Sequence, residues 1–242
     1  DNNQLTSLPE SIGDLSNLEE LELDNNQFTS LPQGILSLRL YNLSITNNQL
    51  TSLPENIGDS DLTSTLNLSN NNLTSLPESI GNLSRLHNLY LTHNQLTSIP
   101  ESIGNLSDLE SLYIGFNELT SIPESIGNLS SLDYLVMGHN QLTSIPESIG
   151  NLSNPYLLDL SYNQLTSLPE TICNLRSDYD HGLIYVNSNQ LCEEYRCICE
   201  GSDWSPYCFT IQFWGWEVSD DFQDQSNCCE GTEGQLNWTD CP

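Results

Sequence analysis

Leu89-Tyr90-Leu91-Thr92-His93-Asn94-Gln95-Leu96-Thr97-Ser98-Ile99-Pro100-Glu101-Ser102-Ile103-Gly104-Asn105-Leu106-Ser107 is the stretch that decides the fold, because it recurs along most of the chain. Its Asn returns as Asn3, Asn26, Asn48, Asn71, Asn94, Asn117, Asn140, Asn163 and Asn189, at intervals of 23, 22, 23, 23, 23, 23, 23 and 26 residues. Self-similarity at such a period marks a solenoid, in which each repeat buries its apolar face on its neighbours. Around each Asn runs LxLxxNxL, and after each comes TSLPESIGNLSxL or a near copy. Alternate residues of a strand point the same way. The pairs Leu21/Leu23, Leu43/Ile45, Leu66/Leu68, Leu89/Leu91, Leu112/Ile114, Leu135/Met137, Leu158/Leu160 and Ile184/Val186 therefore face into the stack. The Asn falls in the turn that follows, where its amide both donates and accepts and so can satisfy buried backbone groups. The nine form a structural ladder, not a catalytic row. The Pro of LPES pins φ, and the Gly of SIG is expected to permit a tight bend.

These residues resemble the leucine-rich-repeat family, over roughly residues 1–191. The resemblance implies an α/β-type solenoid, a horseshoe in which one short parallel strand per repeat lines the concave face and loops or short helical turns form the convex side. Two units are expected: a solenoid of about eight to nine rungs over 1–191, and a Cys/Trp-rich C-terminal cap over 192–242. Local irregularity is expected where Ser60 and Thr63 take Leu positions and where Pro155 does the same, and an insertion falls near Ser177–Gly182.

The chain of 242 residues carries 33 acidic residues against four Arg (Arg39, Arg85, Arg176, Arg196) and no Lys, a net charge of −29. That charge repels phosphate backbones and anionic lipid, which excludes nucleic acid as a partner. No apolar run reaches the roughly 20 residues of a bilayer span, so no membrane insertion is expected. The eight cysteines, Cys173, Cys192, Cys197, Cys199, Cys208, Cys228, Cys229 and Cys241, all lie in the last third. An even, clustered count without a CxxC pair reads as a disulfide-bonded cap in an oxidising compartment rather than a zinc site. Pairing stays open, except that adjacent Cys228 and Cys229 are expected to take different partners. The chain starts at Asp1 without Met and reads as a mature or trimmed product. A secreted, extracellular protein follows as the expectation.

No HExxH, GxSxG or phosphate-loop motif occurs. Of four His (His87, His93, His139, His181), His93 and His139 share one repeat position, just before the ladder Asn, and read as structural or surface residues. We expect no enzyme, no cofactor and no metal centre.

Three surfaces are candidates for function. The positions flanking the buried LxL residues turn aromatic in the later rungs, and Tyr90, Tyr113, Phe116, Tyr134, Val136, Leu157, Tyr162 and Tyr185 make a continuous concave patch. Sequons place N-glycosylation candidates at Asn42, Asn67, Asn72, Asn82, Asn105, Asn128, Asn151 and Asn237, four of them at one convex repeat position. A column of Glu78, Glu101, Glu124, Glu147 and Glu170 stacks like charges, which solvent, salt or weakly bound calcium would relieve. The leading expectation is a non-catalytic module that binds a protein or glycan on its concave face. The alternative is a structural subunit in which copies join end to end as a filament. It rests on a first rung of Leu5, Leu8, Ile12 and Leu15 without a preceding strand, an open edge at Leu21–Leu23, and aromatic cover from Phe209–Val218 at the other end.

Overall fold

A computed structural model describes residues 3–153, 155–175 and 183–191, together with the backbone of Thr210–Gln212. It is a single parallel sheet of nine three-residue strands in sequence order. The strands are β1 (Glu20–Glu22), β2 (Asn42–Ser44), β3 (Thr65–Asn67), β4 (Asn88–Tyr90), β5 (Ser111–Tyr113), β6 (Tyr134–Val136), β7 (Leu157–Asp159), β8 (Leu183–Tyr185) and β9 (Thr210–Gln212). We number rungs by these strands. The register runs straight across the stack, Leu21 opposite Leu43, Leu66, Leu89, Leu112, Leu135, Leu158 and Ile184. Those residues and their partners two positions on are almost all buried, so period two delivers one apolar column pair to the core.

Strands this short need help from the turn that follows, and the Asn residues supply it. Asn117 shows the pattern: its Nδ2 donates to Leu91 O (3.0 Å) and Ile114 O (3.1 Å), and its Oδ1 accepts from Leu96 N–H at 3.0 Å. One side chain thus ties its own rung to the one before. The eight Asn from Asn26 to Asn189 are buried and all accept from the rung before, and from Asn48 on each also donates to a carbonyl there, whereas Asn3 is exposed at the end of the stack.

On the convex side a 3-10 turn precedes each of β1 to β8, and all but one begin directly after Pro, as at Glu101–Asn105, where Pro100 holds φ at −71°; the turn before β3 begins at Ile57, after Asn56. The Gly of SIG has a different role from the one expected. None of these glycines adopts a left-handed φ, so no bend requires them. Each instead lets the next rung close in. A Cβ on Gly104 would overlap the Ser125 carbonyl oxygen and lie 2.6 Å from the Ser125 Cβ. Gly58, Gly81, Gly127 and Gly150 meet Ser79, Ser102, Ser148 and Thr171 in the same way.

The irregular rungs show where the consensus matters. After the 3-10 turn Leu83, Leu106 and Leu129 have ψ of 52°, 73° and 75°, and a second turn closes through Leu86, Leu109 and Leu132 N–H. At the equivalent Leu38, Ser60 and Leu152, ψ is 147°, 147° and 133°, extended. Rung 2 is one residue short there. In rung 3, Leu62 takes the core place that Thr63 cannot fill, and the Ser60 hydroxyl is buried without a hydrogen-bond partner. In rung 7, Pro155 has no N–H with which to close the second turn.

Candidate functional site

The strand residues that do not enter the core stand on the concave face in columns, one residue per rung. The column between each buried pair reads Glu22, Ser44, Asn67, Tyr90, Tyr113, Val136, Asp159 and Tyr185, aligned by the register. It is polar in rungs 1 to 3 and largely aromatic afterwards. The Tyr90 and Tyr113 rings lie 5.2 Å apart, and at the strand starts Tyr134 and Tyr156 lie 5.4 Å apart. Burial, then the neighbouring Tyr90 and Tyr134 hydroxyls, raise the Tyr113 pKa above the ordinary phenol value.

The residue before each ladder Asn makes the more unusual column. Asn25, Asn47, Asn70, His93, Phe116, His139, Tyr162 and Ser188 all have φ between 52° and 57°. Asn tolerates this left-handed conformation because its short polar side chain bonds locally, whereas bulkier L-residues incur roughly 1–2 kcal/mol. Rungs 1 to 3 use Asn. Rungs 4 to 7 place aromatic rings on the same strained backbone, and the rings stack. Centroids are 4.3 Å apart for His93–Phe116, 4.1 Å for Phe116–His139 and 4.1 Å for His139–Tyr162, with interplanar angles of 20°, 12° and 9°. Phe116 and Tyr162 remain 44% and 49% exposed, so the stack presents ring area to solvent.

Between the two columns lies a third, Asp24, Thr46, Ser69, Thr92, Gly115, Gly138, Ser161 and Asn187. In rungs 5 and 6 it carries no side chain. Beyond Gly138, the Asp159 carboxylate is held by Ser161, whose N–H and Oγ donate to Oδ1 at 2.9 and 2.6 Å.

All eight residues assigned to the concave patch from the sequence stand on this face. Phe116 and Tyr162 belong to the stack, while Tyr90, Tyr113, Tyr134, Val136, Leu157 and Tyr185 sit on the strands. The sequence reading missed His93 and His139 as members of the same ring system. The signal was available, since both share a repeat position with Phe116 and Tyr162.

At the strand starts, Glu110 and Asp133 are neighbours. Burial first, then the Glu110 charge, raises the Asp133 pKa above the usual carboxylate value. A raised acid favours the folded state only where it is protonated, and that contribution is lost as pH rises. Asp133→Asn is therefore expected to raise the thermal midpoint slightly at pH 7. The gain should fade as pH falls through the raised folded-state pKa and be gone by about 4, where an ordinary Asp protonates. Equal midpoints for variant and wild type at pH 7 would contradict this.

The other sequence candidates separate cleanly. Asn82, Asn105, Asn128 and Asn151 are exposed, each ending a convex 3-10 turn, while Asn42 and Asn67 lie in concave strands and Asn72 is half-buried with its Oδ1 accepting from Gln95. Asn237 and the eight cysteine side chains lie outside the described residues. Two members of the convex Glu column, Glu101 and Glu124, find amide partners in the next rung. Ser125 N–H donates to Glu101 at 3.3 Å and Ser148 N–H to Glu124 at 3.4 Å. Glu10 behaves likewise, accepting from Gly34 N–H at 2.6 Å. Among the described residues no three His, Cys, Asp or Glu groups gather as a metal site. An open depression of 420 Å³ lies between Glu19, Arg39, Tyr41, Asp61, Thr63 and Arg85, beside the irregular rungs 2 and 3. Arg39 and Arg85 both pair with Asp61 at 3.6 Å, and with Glu19 the charges there cancel.

Two leucine-rich-repeat family models match the chain, one at residues 38–96 and 84–142, the other at 17–38 and 156–175. The chain is a leucine-rich-repeat protein. No curated protein matches it in sequence. Among solved structures this leucine-rich-repeat protein is similar to one of its kind from Leptospira interrogans, at 32% identity and a TM-score of 0.63, over 77% of this chain and 53% of that one. It is similar to the ectodomain of the Arabidopsis thaliana membrane receptor kinase GASSHO1/SCHENGEN3, solved with Casparian strip integrity factor 2, at 40% identity and a TM-score of 0.62, over 69% of this chain and 21% of the receptor. The Yersinia enterocolitica protein YopM is also similar, at 32% identity and a TM-score of 0.56, over 72% of this chain and 34% of that one. The chain thus spans about half of the Leptospira protein and a fifth of the plant receptor ectodomain. Among the described residues no helix is long and apolar enough to cross a membrane.

Proposed function

We propose that this leucine-rich-repeat protein is a non-catalytic, extracellular recognition module that binds a protein segment across the concave face of rungs 4 to 8. The observation that carries the reading is the ring stack His93–Phe116–His139–Tyr162. Phe116 and Tyr162 hold a backbone conformation that Asn holds more cheaply in rungs 1 to 3, and strain kept in this way on an exposed face is a mark of use. The flanking tyrosines add rigid, amphipathic contact area of the kind that dominates binding energy. Similar receptors support a protein partner, since one ectodomain was solved with Casparian strip integrity factor 2 and another, the plant peptide hormone receptor RGFR1, with RGF2. Eight clustered cysteines support an oxidising compartment. Carbohydrate on the convex row Asn82, Asn105, Asn128 and Asn151 would leave the concave face open.

A displayed library of random peptides selected on the protein tests this. Tyr113→Ser and Phe116→Asn install residues that the same columns already carry in rungs 2 and 3, so both variants keep the fold. For Phe116→Asn, relief of about 1 kcal/mol or more of backbone strain offsets two lost exposed stacking contacts of roughly 0.5–1.5 kcal/mol each. The midpoint should therefore move little. Selected peptides are expected to bind each variant at least tenfold more weakly, and to bind the convex variant Glu101→Gln like wild type. Peptides indifferent to both concave changes would refute the reading.

A further inference from the structure

The concave face is interrupted at one place by the absence of side chains. Gly115 and Gly138 occupy a column that elsewhere carries Asp, Thr, Ser or Asn. The strip over them is walled by Tyr113 and Val136 on one side and by the Phe116 and His139 rings on the other. A carboxylate closes its far end. Asp159 Oδ1 takes both bonds from Ser161, and the carboxylate is turned toward the strip, since a Cβ on Gly138 would lie 3.1 Å from Asp159 Oδ2 and 3.2 Å from Oδ1. A narrow site with a backbone floor, ring walls and a fixed anion at one end suits a long side chain with an apolar stem and a planar cationic head.

We infer that this strip is the subsite for an arginine side chain of the partner segment, its stem over Gly115, its flanks against Tyr113 and the edges of the Phe116 and His139 rings, and its guanidinium above Gly138 on Asp159. The inference rests on the concave-face reading above and specifies its ligand. Charge favours the same occupant. The chain carries −29, and the two acidic groups Glu110 and Asp133 stand at the start of the strands that end beside the strip. Among the described residues the cations are Arg39 and Arg85, both paired with Asp61 near rungs 2 and 3. A cation approaching rungs 5 to 7 therefore meets attraction on both sides of the face. Tyr113 adds to it, because a guanidinium stacks on an aromatic face as well as bonding a carboxylate, while Phe116 and His139, whose faces are taken up within the stack, supply only an apolar edge. Asp133, its pKa raised by burial and then by the Glu110 charge, gains from any cation that arrives nearby.

Acetyl-Gly-Arg-Gly-amide is the probe, with its citrulline counterpart as the uncharged isostere, titrated into the 15N-labelled protein at about 0.15 M salt to screen diffuse attraction. The arginine probe is expected to shift the Gly115 and Gly138 amide signals saturably. Citrulline is expected to bind at least fivefold more weakly. Asp159→Asn keeps an acceptor for Ser161 and so keeps the fold, but should weaken the arginine probe at least fivefold. Gly138→Ser, a residue this column carries at Ser69 and Ser161, should abolish the shifts by filling the floor. Equal response to citrulline, or indifference to Asp159→Asn, overturns the subsite. So do shifts spread evenly along Glu78, Glu101, Glu124, Glu147 and Glu170. The broader reading fails on a different result. If selected peptides lose affinity on Phe116→Asn yet contain no arginine, concave binding stands and the arginine subsite falls; if they ignore Phe116→Asn, both fall.

Discussion

Asn117→Ala is expected to lower the stability of the solenoid by about 3–5 kcal/mol, the combined cost of an orphaned donor, lost hydrogen bonds and a cavity. The geometry says which group suffers. Leu91 O and Ile114 O are each shared with a second ladder Asn, Asn94 and Asn140 respectively. Those carbonyls keep one partner when Asn117 is removed. Leu96 N–H is bonded to Asn117 Oδ1 and is left buried and unpaired. An unsatisfied buried amide costs about 1–3 kcal/mol, and the two other bonds add roughly 1 kcal/mol each. Asn117→Asp is expected to be worse than Ala. It retains the acceptor but turns a buried carboxylate toward two carbonyl oxygens, an uncompensated charge in an apolar setting. Urea unfolding followed by circular dichroism measures the series, with exposed Glu118→Ala as a control expected within about 0.5 kcal/mol of wild type. A loss below 1 kcal/mol for Asn117→Ala would show that water or a shifted backbone replaces the side chain.

Gly104→Ala is expected to cost about 2–3 kcal/mol, and the reason is distance between rungs rather than backbone freedom. On its own, replacing Gly by Ala in an ordinary helical conformation stabilises by about 0.4–1 kcal/mol through the unfolded chain. Here the sign reverses, because the new methyl meets the carbonyl oxygen and Cβ of Ser125 in the neighbouring turn. Two packed backbones must part to admit it. Ser125→Gly removes the Cβ half of the collision and leaves the carbonyl half, so the double variant should recover only part of the loss. Full recovery would place the clash in the side chain alone. Exposed Ser107→Ala, two residues beyond the same 3-10 turn, supplies the neutral reference.

These two variants also mark the boundary of what the sequence discloses. The repeated Asn announces a rung, the alternation of Leu around Tyr113 announces a half-buried strand, and the shift from Glu22, Ser44 and Asn67 to Tyr90 and Tyr113 announces where the face becomes aromatic. Each of those features acts inside one repeat, and period two or period 23 is enough to read it. The departures were legible for the same reason: Pro155 has no N–H whatever surrounds it, and Ser60 and Thr63 are visibly the wrong residues for a core position.

What the stacked backbone decided are the relations between one rung and the next. Gly104 looks like a bend residue until Ser125 is placed against it. Glu101 looks like one member of a repelling column until the Ser125 amide comes within 3.3 Å. His93 and His139 look like isolated surface residues until Phe116 is set between them at ring-stacking distance. Nor does the spacing of Asp159 from Gly138 reveal that the carboxylate turns across the empty strip. In each case the partner lies about one repeat away along the chain but in direct contact across the stack. The sequence determined the contents of every rung, and the tertiary structure decided their meaning, because contact between rungs depends on how closely and in what direction neighbouring backbones pack.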